Sequence, residues 1–192
     1  MSEEKPLIEL MIAYQKGDLS AFESLYRLIR PRLRSFLLGL TLNSALADDL
    51  LQETFLQIHR SRATYQPGRN VLPWAFGVAR YVFLMDRRGR VRRREDPALE
   101  PECIDIPVPH ELDGVFDRDL FNKTLPLLHA DQREVLLLHH VWGFSFREIG
   151  QILGIRPVTA KLRAHRGIRS LRREFERLAV TDPYPGAKFK EK

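Results

Sequence analysis

Ser145-Phe146-Arg147-Glu148 opens a run that continues Ile149-Gly150-Gln151-Ile152-Leu153-Gly154-Ile155-Arg156-Pro157-Val158-Thr159-Ala160-Lys161. Ser145 and Glu148 have the spacing of a capping box, in which the serine hydroxyl and the glutamate each satisfy a backbone N–H left open at a helix start. The helix they begin turns Phe146, Ile149, Ile152 and Leu153 inward. Gly154 ends it, because glycine takes the left-handed conformation at no steric cost. Ile155 plugs the turn, and Pro157 suits the first position of a new helix, where its missing N–H removes no bond. That second helix buries Ala160, Ala164, Ile168, Leu171, Phe175 and Leu178, at steps of four, four, three, four and three. A short helix, a glycine turn and a longer helix make a helix-turn-helix.

The longer helix exposes Arg156, Val158, Thr159, Lys161, Leu162, Arg163, His165, Arg166 and Arg169. In a DNA-reading helix-turn-helix the N-terminal residues of this element meet base edges in the major groove, and later cations hold phosphates. A basic surface helix with no nucleic acid is the plainer alternative. The capping box, the turn glycine and the cationic helix together weigh against it. Upstream, Gln132 to Leu138 reads as a supporting helix. His129, His139 and His140 lack the Cys, Asp or Glu partners of a typical ligand spacing, so neither a metal nor another cofactor is expected.

Charge divides the chain into three blocks. Residues 1–95 carry 16 basic and 10 acidic side chains, residues 96–119 carry 1 and 8, and residues 120–192 carry 14 and 7. The acidic block also holds Pro97, Pro101, Pro107 and Pro109, which disfavour helix. Asp96 to Glu111 therefore reads as the heart of a flexible interdomain linker spanning 96–116. Its acidity suits a solvated tether; competition with nucleic acid for a basic groove is the sharper alternative. At 192 residues with 44% hydrophobic and 29% charged side chains, a wholly disordered chain is excluded. The strongest apolar stretch, Phe36 to Leu42, is too short for a membrane span, and residues 1–6 lack a signal-peptide core. A cytoplasmic protein without membrane insertion is expected. Cys103, the single cysteine, lies in the linker and has no intramolecular partner; an incidental exposed thiol is expected rather than a redox switch. Arginines number 24 against 7 lysines, which favours bidentate contacts with phosphate and guanine, although coding bias gives the same excess.

The first block is helical in its apolar spacing throughout. Leu7, Ile8, Met11 and Ile12 fit a helix ending near Gly17. Asp18 caps the next, with Leu19, Phe22, Leu25, Tyr26 and Ile29 on one face and a kink expected at Pro31. Asn43 or Ser44 caps a third helix that buries Leu46, Leu50, Leu51, Phe55 and Ile58. A fourth is expected to follow Pro73, carrying Trp74, Ala75, Val78, Val82 and Met85.

Two features of this block call for more than a fold. The third helix has a polar strip, Asp49, Gln52, Glu53, Gln57 and Arg60, which taken alone reads as a solvated face. The fourth carries Trp74, Phe76, Tyr81 and Phe83, then runs through Arg80, Arg87, Arg88, Arg90, Arg92, Arg93 and Arg94, opposed only by Asp86. Aromatics that stack on unpaired bases beside arginines that neutralise phosphate suit melted nucleic acid. Core aromatics followed by a basic helix end is the alternative. Seven arginines in fifteen residues exceed what helix capping needs.

With these residues in view, the chain resembles bacterial RNA polymerase sigma factors of the extracytoplasmic-function group, from about Leu7 to Leu178. Ala47-Asp48-Asp49-Leu50-Leu51-Gln52-Glu53-Thr54-Phe55-Leu56 is similar to the family segment that docks on core RNA polymerase. Trp74-Ala75-Phe76-Gly77-Val78-Ala79-Arg80 and Asp86-Arg87-Arg88 are similar to its tryptophan-containing helix. Gln132-Arg133-Glu134-Val135, Glu148-Ile149, Leu153-Gly154-Ile155 and Thr159-Ala160-Lys161 match its region-four helix-turn-helix, which reads the −35 element. The resemblance implies an all-α fold of two small domains. Region two would span 1–95 and region four 117–179, with a tail at 180–192 too short for a large sensory extension. It implies polymerase contacts at Asp49, Leu50, Gln52, Glu53, Phe55, Gln57 and Arg60. It implies −10 DNA contacts at Arg62, Arg69, Asn70, Trp74, Arg80, Tyr81, Phe83, Asp86, Arg87, Arg88 and Arg90. The helix-turn-helix residues named above would read the −35 duplex.

The chain departs from the family pattern at Tyr81, where Asn is common, at Leu128-His129, where Leu-Pro is usual, and at Pro126, Arg156 to Thr159, Leu162 and Gly167. Several of these are base-reading positions, so a relative's promoter sequence does not carry over. The partners implied are core RNA polymerase, promoter DNA and an anti-sigma factor, which in turn could hold the chain at a membrane. Two rivals are kept. A stand-alone helix-turn-helix regulator explains residues 120–178 but leaves the polar strip and the aromatic-arginine segment unused. A nuclease needs a carboxylate or metal cluster, and Asp48, Asp49 and Glu53 form the only such group, inside the docking segment.

Overall fold

The computed structural model describes residues 4–93 and 118–181. The whole of the expected linker, with Arg94 and Cys103, and the tail from 182 lie outside the described residues. The described residues form helices and no strand: α1 Glu4–Gln15, α2 Leu19–Thr41, α3 Ser44–Ser61, α4 Val71–Arg93, α5 Arg118–Thr124, α6 Ala130–Leu136, α7 Phe146–Leu153 and α8 Pro157–Thr181.

Local chemistry sets the helix ends. The Asp18 carboxylate accepts from the N–H groups of Ser20 and Ala21 at 2.9 and 3.1 Å. Asn43 caps α3 by accepting from the Leu46 N–H at 2.8 Å, so it is Asn43 rather than Ser44 that starts the helix. Pro31 does not interrupt α2. It lies on the exposed face, where water can take the carbonyl that its missing N–H leaves free. α4 begins at Val71, ahead of Pro73 rather than after it, because a proline in the first turn removes no intrahelical bond. The expected supporting helix is α6, which widens into a π turn over Leu137–Val141. The Phe144 N–H then returns to the Leu138 carbonyl at 3.0 Å, ending the widened turn ahead of α7.

α1 to α4 pack around Met11, Tyr14, Ile29, Leu33, Phe36 and Ile58, each at most 1% exposed. α5 to α8 close around Leu125, Val135, Leu137, Ile149 and Ala160, all fully buried. Some expected core positions differ. Leu19 is 71% exposed at the first position of α2, Met85 is 46% exposed, and Leu46, Phe146 and Ile168 are only half-buried. The two halves are not separate bodies: α4 lies against α7, and α2 against α6 and the π turn. Phe76, fully buried, places its ring 5.0 Å from Phe144 and 5.8 Å from Trp142. It therefore belongs to the seam between the halves and offers no face to a base.

Candidate functional site

α3 presents Asp49, Gln52, Glu53 and Arg60 to solvent, with Gln57 half-buried on the same side. The helix is held from behind. Arg34 reaches across from α2 and grips Asp48 with both arms, Nε to Oδ1 at 2.7 Å and Nη2 to Oδ2 at 2.8 Å. That fork holds the Asp48 carboxyl below its ordinary range, so the pair stays ionised. Leu50 and Phe55, expected among the polymerase contacts, are 5% and 7% exposed. The Phe55 ring lies 4.4 Å from that of Tyr26. Both side chains therefore lie buried beneath the strip and are not part of its exposed face.

The chain from Arg62 to Asn70 is fixed by side chains of α1 and α4. Gln15 donates to the carbonyls of Arg62 and Tyr65 at 2.7 and 2.9 Å. The Tyr65 hydroxyl donates to the Arg69 carbonyl, and its ring meets Trp74 edge-on at 5.6 Å. Gly68 turns the loop at φ 84°, a value costly for residues with a Cβ. Arg62 folds back: Nη1 donates to the His59 carbonyl at 2.6 Å, with the guanidinium 5.8 Å from the Tyr14 ring centroid. It anchors the loop, whereas Arg69 is exposed.

A cleft of about 750 Å³ opens between this loop, α4 and α7. Four residues expected to meet −10 DNA line it together: Arg69, Asn70, Trp74 and Tyr81. Arg147, Glu148 and Gln151 of α7, which sequence reasoning did not link to this site, form its far wall. A neighbouring cleft of about 500 Å³ joins the strip to α4, lined by Asp49, Glu53, Gln57, Tyr81, Asp86 and Arg90. Gln52 lies apart, in a third groove with Arg30, Arg34 and Asp48. Arg87, Arg88 and Arg92 are exposed along the end of α4, while Arg90 pairs with Asp86 at 2.8 Å. Phe83 is half-buried against the core, and Arg80 pairs with Glu134 at 2.7 Å.

The capping box is present: Ser145 Oγ accepts from the Glu148 N–H at 3.3 Å, and the Ser145 N–H donates to Glu148 Oε2 at 2.9 Å. Gly154 is left-handed at φ 65°, and its N–H returns to the Gly150 carbonyl. Gly150 sets how closely the two helices approach. A Cβ there would stand 2.8 Å from the Ile155 carbonyl oxygen. Arg156, just ahead of α8, and Val158, Lys161, Leu162, His165, Arg166 and Arg169 on it are exposed, and Thr159 is half-buried. Arg163 is bound within the protein, its Nη2 3.0 Å from Asp131 Oδ2. Gly167 is buried, and a Cβ there would meet the Leu136 side chain at 2.9 Å. Among the described residues no group of three or more His, Cys, Asp or Glu is placed to hold a metal ion, and no helix is long and apolar enough to cross a membrane.

Two helical units, one with an exposed polar strip beside an aromatic-lined cleft and the other a helix-turn-helix with a cationic second helix, have the make-up of a promoter-recognition factor. Residues 25–93 match the Sigma-70 region 2 family, and residues 118–171 match Sigma-70, region 4. The RNA polymerase sigma factor CarQ of Myxococcus xanthus is 40% identical over 167 residues, covering 84% of this chain and 93% of that protein. The ECF RNA polymerase sigma factor EcfG of Rhodopseudomonas palustris is 35% identical over 136 residues, covering 71% and 75%. The sigma factor RpoE from Bartonella quintana, solved in complex with the anti-sigma factor NepR, superposes with a TM-score of 0.68 at 29% identity, covering 81% of this chain and 96% of that one. The chain belongs to the extracytoplasmic-function RNA polymerase sigma factors. It is a transcription initiation factor that directs RNA polymerase to promoters, and it is not an enzyme. A stand-alone regulator is not favoured, since the first half of the chain belongs to region 2.

Proposed function

We propose that this chain recruits core RNA polymerase through the outer face of α3, with Asp49, Gln52 and Glu53 as the main contacts and Gln57 and Arg60 flanking them. The cleft bounded by Arg69, Asn70, Trp74 and Tyr81 takes unstacked −10 bases of one strand, and Arg87, Arg88 and Arg92 hold its phosphates. Capture of a flipped base offsets an unstacking cost of a few kcal/mol. The exposed face of α8 reads the −35 duplex in the major groove. The functional boundaries are region two over 1–95, a linker over 96–116 and region four over 117–179.

The observation that carries this reading is the second cleft, where Asp49, Glu53 and Gln57 of α3 face Tyr81, Asp86 and Arg90 of α4. Docking and base capture then act on adjoining helices, so polymerase binding can set the position of the −10 cleft. Binding to core polymerase, measured by fluorescence anisotropy of the labelled chain, tests it. Joint alanine substitution of Asp49, Gln52 and Glu53 is expected to weaken binding by two orders of magnitude or more, while Arg87→Ala with Arg88→Ala leaves it within a few fold. Equal loss in both variants contradicts the assignment.

An anti-sigma factor is the regulatory partner that fits, on the precedent of the RpoE relative crystallised with NepR. The place of action is the cytoplasm, where polymerase and promoter are, and a membrane-bound anti-sigma factor would hold the inactive chain at the membrane.

A further inference from the structure

The exposed face of α8 has an apolar centre. Val158 is 69% exposed and Leu162 is 52% exposed. They stand four residues apart, so they are neighbours on one face of the helix. Ala160, Ala164, Gly167 and Leu171 are buried and fix the inward direction. At about 100° per residue, Val158 and Leu162 lie within about 30° of the opposite direction. Lys161 and His165 flank this line on one side and Arg166 on the other, all exposed, and exposed Arg169 continues it. No acidic residue interrupts the stretch from Arg156 to Arg173. A lone exposed aliphatic residue is ordinary on a protein surface. Two at the centre of an otherwise cationic face are a feature of the site.

An α-helix with its side chains is about 10–12 Å across, and a B-form major groove is about 12 Å wide. Only the outermost line of side chains therefore reaches the groove floor, while residues to either side meet its walls. Here the line carries two aliphatic side chains and the flanks carry cations, which suit phosphate walls. Neither Val158 nor Leu162 can donate or accept a hydrogen bond, so neither reads the polar groups of a base edge. The apolar group that base pairs present in the major groove is the C5 methyl of thymine. Against guanine the same side chains would cover N7 and O6 without a partner, which leaves desolvated acceptors. The two residues are about 6 Å apart along the helix, less than two base-pair steps of about 3.4 Å.

We propose that Val158 and Leu162 are specificity-determining residues that select thymine by its C5 methyl, so that the −35 element carries two A·T pairs within three consecutive positions facing the start of α8. The proposal deepens the reading of α8 as the −35 helix and rests on it. Both residues fall where this chain departs from the family pattern, so the preference belongs to this chain and is not inherited from a relative's promoter.

Deoxyuridine in place of thymidine removes that methyl and leaves the base pair intact. The probe is a labelled promoter duplex from a start mapped with polymerase carrying the full chain. Each −35 thymine is exchanged in turn, and affinity for that holoenzyme is read by fluorescence anisotropy. In the parent, exchange at two positions is expected to weaken binding about fourfold each, the worth of one buried methyl. Val158→Ser is expected to abolish the effect at one position and Leu162→Ser at the other, because the methyl then has nothing apolar to cover. Both side chains are exposed, so neither change touches the core, and far-UV circular dichroism verifies the fold. A −35 element without A·T pairs, no penalty at any thymine in the parent, or penalties that persist in both variants overturns the proposal. Exchange of the whole −35 segment for unrelated sequence separates the two layers. If that costs tenfold or more while deoxyuridine costs nothing, the methyl contact alone is overturned. If unrelated sequence costs nothing, the −35 assignment of α8 is overturned beneath it.

Discussion

Arg80 Nε stands 2.7 Å from Glu134 Oε1, joining residues 54 positions apart on α4 and α6. Burial pushes the Glu134 carboxyl above its ordinary range, and the Arg80 charge works in the opposite sense. A pair of this kind is costly to desolvate, and removing one partner strands the other.

A double-mutant cycle on unfolding of the full chain therefore expects coupling. Arg80→Ala and Glu134→Ala together cost less than the sum of the two single changes, with an interaction of roughly 1–3 kcal/mol. Additive effects in denaturant titrations contradict a seam held by this pair.

His140 provides a pH dependence. Burial first, and then the charge of neighbouring His139, push its pKa down to about 4. The unfolded chain takes up this proton near pH 6.5, whereas the folded chain does not until about pH 4. Between those values the unfolded state binds more protons, so this contribution to stability falls as pH drops from 6.5 and levels off below 4. The full loss is on the order of 3 kcal/mol. Urea unfolding at several pH values should show a shallower acid slope in His140→Gln than in the parent chain. Parallel slopes contradict a buried neutral imidazole.

Gly150→Ala improves intrinsic helix propensity by about 1 kcal/mol, yet is expected to destabilise. The new Cβ would press on the Ile155 carbonyl at 2.8 Å, and backbone cannot step aside as a side-chain tip can. A net loss of about 1–3 kcal/mol is expected, with weaker −35 duplex binding as the angle between α7 and α8 shifts. Calorimetry with a duplex-binding assay checks both, and a stabilised variant contradicts the close approach.

Tyr81 is 54% exposed at the meeting of the two clefts. Tyr81→Ala should leave polymerase binding intact and lower open-complex yield by roughly tenfold, as expected from the loss of one stacked base at 1–3 kcal/mol. Permanganate reactivity of unpaired thymines reads the effect, and a pre-melted template should rescue much of it. Equal loss on pre-melted and duplex templates contradicts a role in holding unstacked bases, whereas unchanged yield removes Tyr81 from the site.

Local signals were the legible ones. The caps at Asp18 and Ser145 and the turn at Gly154 depend on a few adjacent residues and stand as expected, while of the two candidates Asn43 and Ser44 it is Asn43 that caps α3. Periodicity placed α2 and α3 but misread Leu19, since the first residue of a helix need not reach the core that its later face meets. The docking segment was recognised as a unit, which swept in Leu50 and Phe55 although spacing had already placed both inward. Arg62 and Arg163 read as free cations because neither the Tyr14 ring nor Asp131 is near them in sequence. The α4–α7 seam left no local trace: Phe76 meets Trp142 and Phe144 only through the tertiary fold. Gly150 and Gly167 could have been noticed as glycines inside helices, where close packing is a common reason for the missing Cβ.

The most direct measurement is transcription by sigma-free core polymerase on genomic DNA with the purified chain added, mapping RNA 5′ ends. Discrete starts sharing an upstream pair of motifs are predicted, lost when Asp49, Gln52 and Glu53 are all changed to Ala, each being exposed and outside the core. No specific starts, or starts that persist undiminished in the triple variant, would contradict polymerase recruitment through α3.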